Sequence, residues 1–440
     1  MFLPAQPPPA PFRFALTGDS IIDRRISVYH EPEYLGMIER LRAADTAFTN
    51  FEMLIHDFDF PAAPISGGTY MGAPAWVLDE LKWAGFRLFA AANNHSLDFG
   101  TEGLMNSLHR MEQAGVVYAG AGENLARARA PGYLDTPKGR VALIACASTF
   151  SVFSPAGPQR PDMKGRPGLN PLRFKTTYLV EPSTLNGLRA LARMQPAAGT
   201  ENRSNTANEV RFLGATFRAG EKPGVLTEPD ARDLNEIAAQ VREARRQADW
   251  VVVSIHAHES APGDRQTAAQ FLVTFAHAMI DAGADLFVGH GPHLLRGIEI
   301  YKGKPVFYSL ANFIFENETV RFQPQESYDQ YGLPSTASPA DFFDARSANG
   351  TRSFPADSEY WESVIAEATF DSRRELQAID LWPITLGFGG SRPQRGRPLP
   401  AQPEQAAAIL QRVARLSKAF GTELRIQNRV AEWRREWVDH

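Results

Sequence analysis

Cysteine is almost missing from this chain: Cys146 is the only one in 440 residues, which excludes an internal disulfide. It sits in the apolar run 141-VALIACA-147, where a lone thiol acts as a small buried hydrophobe. An excess of one charge is missing too. The 46 basic and 50 acidic residues leave a net charge of −4, so nothing in the overall charge favours nucleic acid or an anionic membrane as partner. The opening MFLPAQPPPAPF has no basic region followed by an apolar stretch, so it reads as neither signal peptide nor membrane anchor. Its prolines read as an extended leader over 1–11, with a cytoplasmic location as the matching expectation. Internal repeats are absent. What remains is a chain of ordinary globular composition, long enough to bury a full core.

The richest stretch is 285-DLFVGHGPHLLRGIEIYKGKPVFYSLANFIFE-316. Residues 285–288, with apolar Leu286, Phe287 and Val288, suit a buried strand, and Gly289 then frees the backbone. His290 and His293 are expected on a loop that Pro292 stiffens, at the strand end where open α/β sheets place ligands. The rest of the chain delivers polar residues to similar places. A strand from 12 to 16 ends at Gly18 and Asp19, with Arg24 and Arg25 close behind. After a helix over 32–44, the strand 46-TAFTNFE-52 puts Asn50 and Glu52 on one side. A helix over 75–85 and a strand over 86–91 lead into 93-NNHSLDFG-100, which offers Asn94 and His95 ahead of a helix over 101–114. Strands follow at 116–122 and 141–147. A helix over 229–248, with Asp230 as its cap, precedes 250-WVVVSIHAHES-260, ending in His256 and His258. A helix over 266–282 and a single strand over 306–315 carrying Asn312 complete the pattern.

Strand and helix alternate throughout, which predicts a layered α/β domain over 12–316 with several parallel strands. The segments 149–175 and 196–223 read as irregular insertions and 317–358 as a large loop or small cap. A hairpin over 361–370 and 375–386 and a helix over 404–419 read as C-terminal elements of 359–440, packed on the same domain. Carboxylates from early strands and imidazoles from later ones form the donor set of a Mn, Zn or Fe site. With two such cations about 3.5–4 Å apart, a bound water falls from a pKa of about 15.7 to about 7.

The ordered motifs GDSIIDR, NFE, ANNHSLDFG, SIHAHE, and GHGPH followed by YSLANFIF resemble the CapA family, named for poly-γ-glutamate capsule biosynthesis and related to calcineurin-like metallophosphoesterases. The similarity runs from about 12 to 316. It implies a four-layer α/β/β/α sandwich with one or two divalent cations at the strand ends. By that resemblance Asp19, Glu52, Asn94, His256, His290 and His293 are metal ligands, and His95 protonates the leaving group. Ile21 stands where metallophosphoesterases carry a histidine, Asn-Phe-Glu replaces Gly-Asp, two residues separate the last histidine pair instead of one, and His258 takes a position often held by glycine.

The activity implied is a metal-dependent hydrolase acting on a small anionic or polymeric substrate, γ-glutamyl or phosphorylated, through a phosphoester or a glutamyl-type amide. Arg24 joins His95 as a catalytic candidate and, with Arg296, as a clamp for an anionic group. Asn50, His258, Arg296 and Asn312 are the candidate substrate-binding residues. Two other readings stand beside it. One is a non-catalytic assembly component of capsular polymer synthesis. The other is a nucleotidase, which asks for stacking aromatics in the cleft, with Phe99, Tyr308, Phe315 and Tyr328 as candidates.

Overall fold

Alternation of apolar side chains explains the layering. In the strand Gly139–Ala147, Val141, Leu143 and Ala145 belong to one hydrophobic cluster and Ala142, Ile144 and Cys146 to another. The strands Trp250–His256 and Leu286–His290 divide in the same way. Both faces are therefore covered, which is why these strands read as continuous apolar runs and not as alternating ones. The computed structural model describes residues 11–194 and 206–437; residues 1–10 of the expected leader and 196–205 of the second insertion lie outside them.

The fold is mixed α/β. A ten-stranded sheet contains the parallel strands Phe12–Ile21, Thr46–Phe51 and Leu88–Ala90 and the antiparallel C-terminal strands Glu362–Phe370 and Leu376–Thr385. A six-stranded sheet holds Gly139–Ala147, Trp250–His256, Leu286–His290 and Lys304–Phe307 in parallel, flanked by an antiparallel strand at each edge. One shared cluster joins Phe14, Leu16 and Phe48 of the first sheet to Val141, Val252 and Leu286 of the second. Each such fully buried large side chain contributes about 1.5–3 kcal/mol. The helices Pro32–Ala43, Trp76–Ala84 and Gly100–Gln113 cover the first sheet, and Ala231–Arg245 and Gln270–Ala282 cover the second.

The single strand expected over 306–315 is two strands in two sheets. Lys304–Phe307 pairs within the six-stranded sheet, and Asn312–Phe315 pairs with Phe12–Ile21 in the other. The chain crosses between them through Ala311, whose φ of 56° is in the left-handed region. The crossing reorganises the first strand. Its residues 12–16 pair antiparallel with Glu362–Phe370, whereas Asp19, Ser20 and Ile21 pair with Asn312–Phe315 in parallel. At the switch Asp19 N–H donates to the Ala311 carbonyl at 2.9 Å. A Cβ on Gly18 would lie 1.8 Å from that oxygen. Gly18→Ala must therefore push two backbones apart, and we expect a loss of about 3 kcal/mol or more. A shifted urea midpoint checks it, and an unchanged midpoint would refute this account of the crossing.

Other departures have local causes. The insertion expected as irregular over 196–223 contains, from 206 on, strands Glu209–Phe212 and Ala215–Ala219, which join Phe174–Val180 and Gly224–Pro229 in a separate four-stranded sheet. Its hairpin turns on Leu213 and Gly214, both at positive φ. Leucine does not announce such a turn. In 317–358 the helix Pro339–Ser347 is closed by a capping box between Ser338 and Asp341. Two strands beyond the expected last helix, Arg425–Gln427 and Val430–Arg434, extend the first sheet. Asp230 caps its helix as expected, accepting from the N–H groups of Arg232 and Asp233.

Candidate metal centre

Strand register brings the polar residues together. Asp19 is opposite both Asn50 and Asn312 in its sheet, and His256 is opposite His290 in the other. Asp19, Asn50, His256 and His290 are at the C-terminal ends of parallel strands, the usual ligand position in α/β sheets. Asp19 is the hub. Its Oδ1 accepts from Asn50 Nδ2 at 2.8 Å and faces His290 Nδ1 at 3.2 Å and His256 Nδ1 at 3.6 Å. Its Oδ2 accepts from Gly291 N–H at 2.9 Å and faces His293 Nδ1 at 3.5 Å. Glu52 Oε1 is 3.6 Å from His256 Nε2, 3.8 Å from His293 Nε2 and 3.8 Å from His95 Nε2.

Outer partners orient the imidazoles, as metal sites require. Ser254 Oγ holds the Nε2 side of His290 at 2.8 Å, leaving Nδ1 for the cluster. Asn312 Oδ1 accepts from His293 Nδ1 at 2.8 Å, which turns Nε2 toward Glu52. His293 itself has φ 59°, a conformation that costs a residue with a Cβ on the order of 1 kcal/mol and concentrates at functional sites.

Three overlapping sets of donor atoms could hold a cation: Asp19, His256 and His290; Glu52, His256 and His258; Asp19, Glu52 and His293. Both Glu52 oxygens and Asn94 Oδ1 are buried without a hydrogen-bond partner. Buried polar groups are otherwise almost always paired, and orphaned acceptors beside neutral imidazoles are what a divalent cation would satisfy. The electrostatics agree. Burial alone would raise Asp19, but His256, His290 and His293 hold its carboxyl well below the usual range. Burial, with repulsion from Asp19 and Asp98, pushes Glu52 well above its own. Burial lowers His256 to about 4 despite Asp19, and lowers His258 with help from His256 and His293. Neutral imidazoles are the form that binds metal.

This frustration has a testable consequence. Glu52→Gln removes the repelled carboxylate, so the metal-free protein should melt at a higher temperature than native metal-free protein. The same change should abolish any stabilisation by added Mn or Zn. Calorimetry with and without each metal reads both, and a lower metal-free melting temperature would oppose this picture of the centre.

Next to the cluster, His95 Nδ1 pairs with Asp98 Oδ2 at 2.7 Å, and Asp98 is fixed by the N–H groups of Met71 and Gly67. His95 thus presents Nε2 to a cavity of about 340 Å³ that Asn94, His258 and His293 also line. Asp98 is a partner of His95 that the sequence analysis did not single out. A histidine with an aspartate three residues on is the signal that marks it.

The two candidate arginines have other partners. Arg24 does not line the cavity: it pairs with Glu316 at 3.0 Å and donates to the carbonyls of Pro393 and Arg395. Arg296 is 1% exposed and donates to the carbonyls of His258 and Arg265, and burial lowers it to about 10. Asn50 and Asn312 are fully buried and hydrogen-bonded to Asp19 and His293; of the four substrate-binding candidates only His258 lines the cavity. Of the four stacking candidates only Phe315 does, and its ring packs on His293, Phe354 and Trp361.

The family model for "Bacterial capsule synthesis protein PGA_cap" matches residues 13–317. The chain belongs to this family. The "Uncharacterized protein y4sH" of Sinorhizobium fredii is 37% identical over 433 residues, covering 95% of this chain and 92% of its own. "PGA biosynthesis protein CapA" of Bacillus subtilis is 27% identical over 302 residues, 66% of this chain and 59% of its own. A solved structure, that of a hypothetical protein from Thermus thermophilus, aligns over 84% of this chain and 98% of its own, with 13% identity and a TM-score of 0.36. Three residues that line the cavity, Arg346, Phe354 and Tyr360, come from beyond the matched segment. Among the described residues no helix is long and apolar enough to cross a membrane.

Proposed function

We propose that the protein is a metal-dependent hydrolase of the CapA type, acting on a phosphoester or glutamyl-type amide in an anionic substrate. The single observation that carries this is the pair of orphaned buried acceptors on Glu52 among oriented imidazoles, with a third orphaned acceptor on Asn94, which lines the adjoining cavity. Asp19, Glu52, Asn94, His256, His290 and His293 would hold one or two divalent cations, Mn, Zn or Fe, and His258 is within reach of the same group. A cation bound there supplies Lewis acidity and makes water nucleophilic near neutral pH.

The chain's own residues do the rest. Asp19 anchors both sheets to the centre. His95, backed by Asp98, holds a proton at Nε2 and delivers it to the departing oxygen or nitrogen. The shared inter-sheet core with helices outside both sheets supports the α/β/β/α sandwich related to metallophosphoesterases. The Bacillus subtilis relative is named for PGA biosynthesis, which supports a γ-glutamyl polymer as substrate over a nucleotide.

Elemental analysis of protein purified without chelator or tag-derived metal tests the reading, with the double variant His290→Ala/His293→Ala beside it. We expect one to two equivalents in the native protein and almost none in the variant, followed by hydrolysis of γ-glutamyl amides or phosphoesters. Native protein that takes up no metal, even after incubation with Mn or Zn, would instead favour a non-catalytic role in polymer assembly.

A further inference from the structure

Two arginines line the cavity, and they differ in charge balance. Arg265 is paired with Asp357 at 2.6 Å and with Glu359 at 2.8 Å. Arg346 has no carboxylate within ion-pair distance among the described residues; its hydrogen-bond partner is the hydroxyl of Thr69. The nearby Glu318 is already taken by Arg392 and Arg395. Arg346 is half-buried on the helix Pro339–Ser347, whose capping box fixes its start. An uncompensated guanidinium in such a place costs stability unless something anionic meets it.

Its position relative to the centre is set by one short loop. Thr69 meets Arg346, and Gly67, two residues earlier, accepts from Asn94 Nδ2 at 3.2 Å and donates to Asp98. The same loop therefore touches the arginine, a candidate metal ligand and the partner of His95.

We propose that Arg346 binds an oxyanion of the substrate that takes no part in bond cleavage, a carboxylate or phosphoryl group, and thereby sets the substrate class. The inference rests on the hydrolase reading only in taking this cavity as the substrate site. A planar guanidinium pairs such groups bidentately, which a lysine cannot do. The residue lies outside the family-matched segment 13–317, so the C-terminal part of this chain supplies the recognition and the matched part supplies the centre.

The test titrates glutarate and methyl phosphate separately into the full chain by calorimetry, using native protein, Arg346→Gln and Arg346→Lys, with metal content measured on each sample. We expect native protein to bind at least one probe, Arg346→Gln to bind it at least about tenfold more weakly, and Arg346→Lys to fall between them. Binding of glutarate alone identifies a carboxylate, and of methyl phosphate alone a phosphoryl group. Should Arg346→Gln fail to fold, the weakening in Arg346→Lys carries the test. Equal affinity in native and variant proteins, or no binding of either probe to native protein, overturns the proposal. Metal absent from every sample while the Arg346 effect persists would overturn the hydrolase reading and leave this inference standing.

Discussion

Asp19→Asn should abolish divalent-metal binding at the proposed centre. Both carboxylate oxygens accept: Oδ1 from Asn50 Nδ2 and Oδ2 from Gly291 N–H. An asparagine must turn its NH2 group toward one of those donors, so one buried donor pair is left opposed at a cost of about 1–3 kcal/mol. The charge that faces three imidazoles is lost as well. Loss of an outer-shell partner costs metal sites about 10–100-fold in affinity, and a central ligand should cost more. Elemental analysis and competition with a chromogenic chelator give the number. Native-like metal content in Asp19→Asn would place the centre elsewhere.

His95→Ala should have the opposite profile. Its Nδ1 is committed to Asp98 and its Nε2 is 3.8 Å from Glu52, so it borders the centre and belongs to none of the three donor sets. Metal content should therefore stay native, while turnover falls by about 10²–10⁴, the range for losing a general acid. Substrates with a good leaving group, which need no proton, should be spared most of that loss. A variant that loses metal and activity together would make His95 a ligand, and one with unchanged turnover would remove it from the chemistry.

Much of the centre was legible because its parts are local events. A strand reads as an apolar run, and a polar residue at its end is visible two or three positions later, as with Asp19, Glu52, His256 and His290. Which residues meet across strands depends on register, and register is not written in any one segment. The division of 306–315 between two sheets was hidden for that reason: its apolar run is continuous in sequence, and only the left-handed Ala311 marks the break. The partners of the two candidate arginines were hidden for a different cause. Arg24 and Arg296 are next to the motifs in sequence, yet carboxylates and carbonyls claim them in space. Arg346 gave no signal, being some thirty residues past the last motif in a stretch without a clear period.

The crossing at Ala311 has a thermodynamic consequence. Asp19 and Glu52 come from one sheet and its strand end, and His256 and His290 from the other, so neither sheet alone carries a competent set of ligands. A cation held there binds only chains whose two halves are already docked, and by mass action it stabilises them by about 2.7 kcal/mol when its free concentration is a hundred times the dissociation constant. Metal supply would then govern how long each molecule survives proteolysis as well as how fast it works. A cell starved of that metal would hold less of the protein, and not merely an idle form of it.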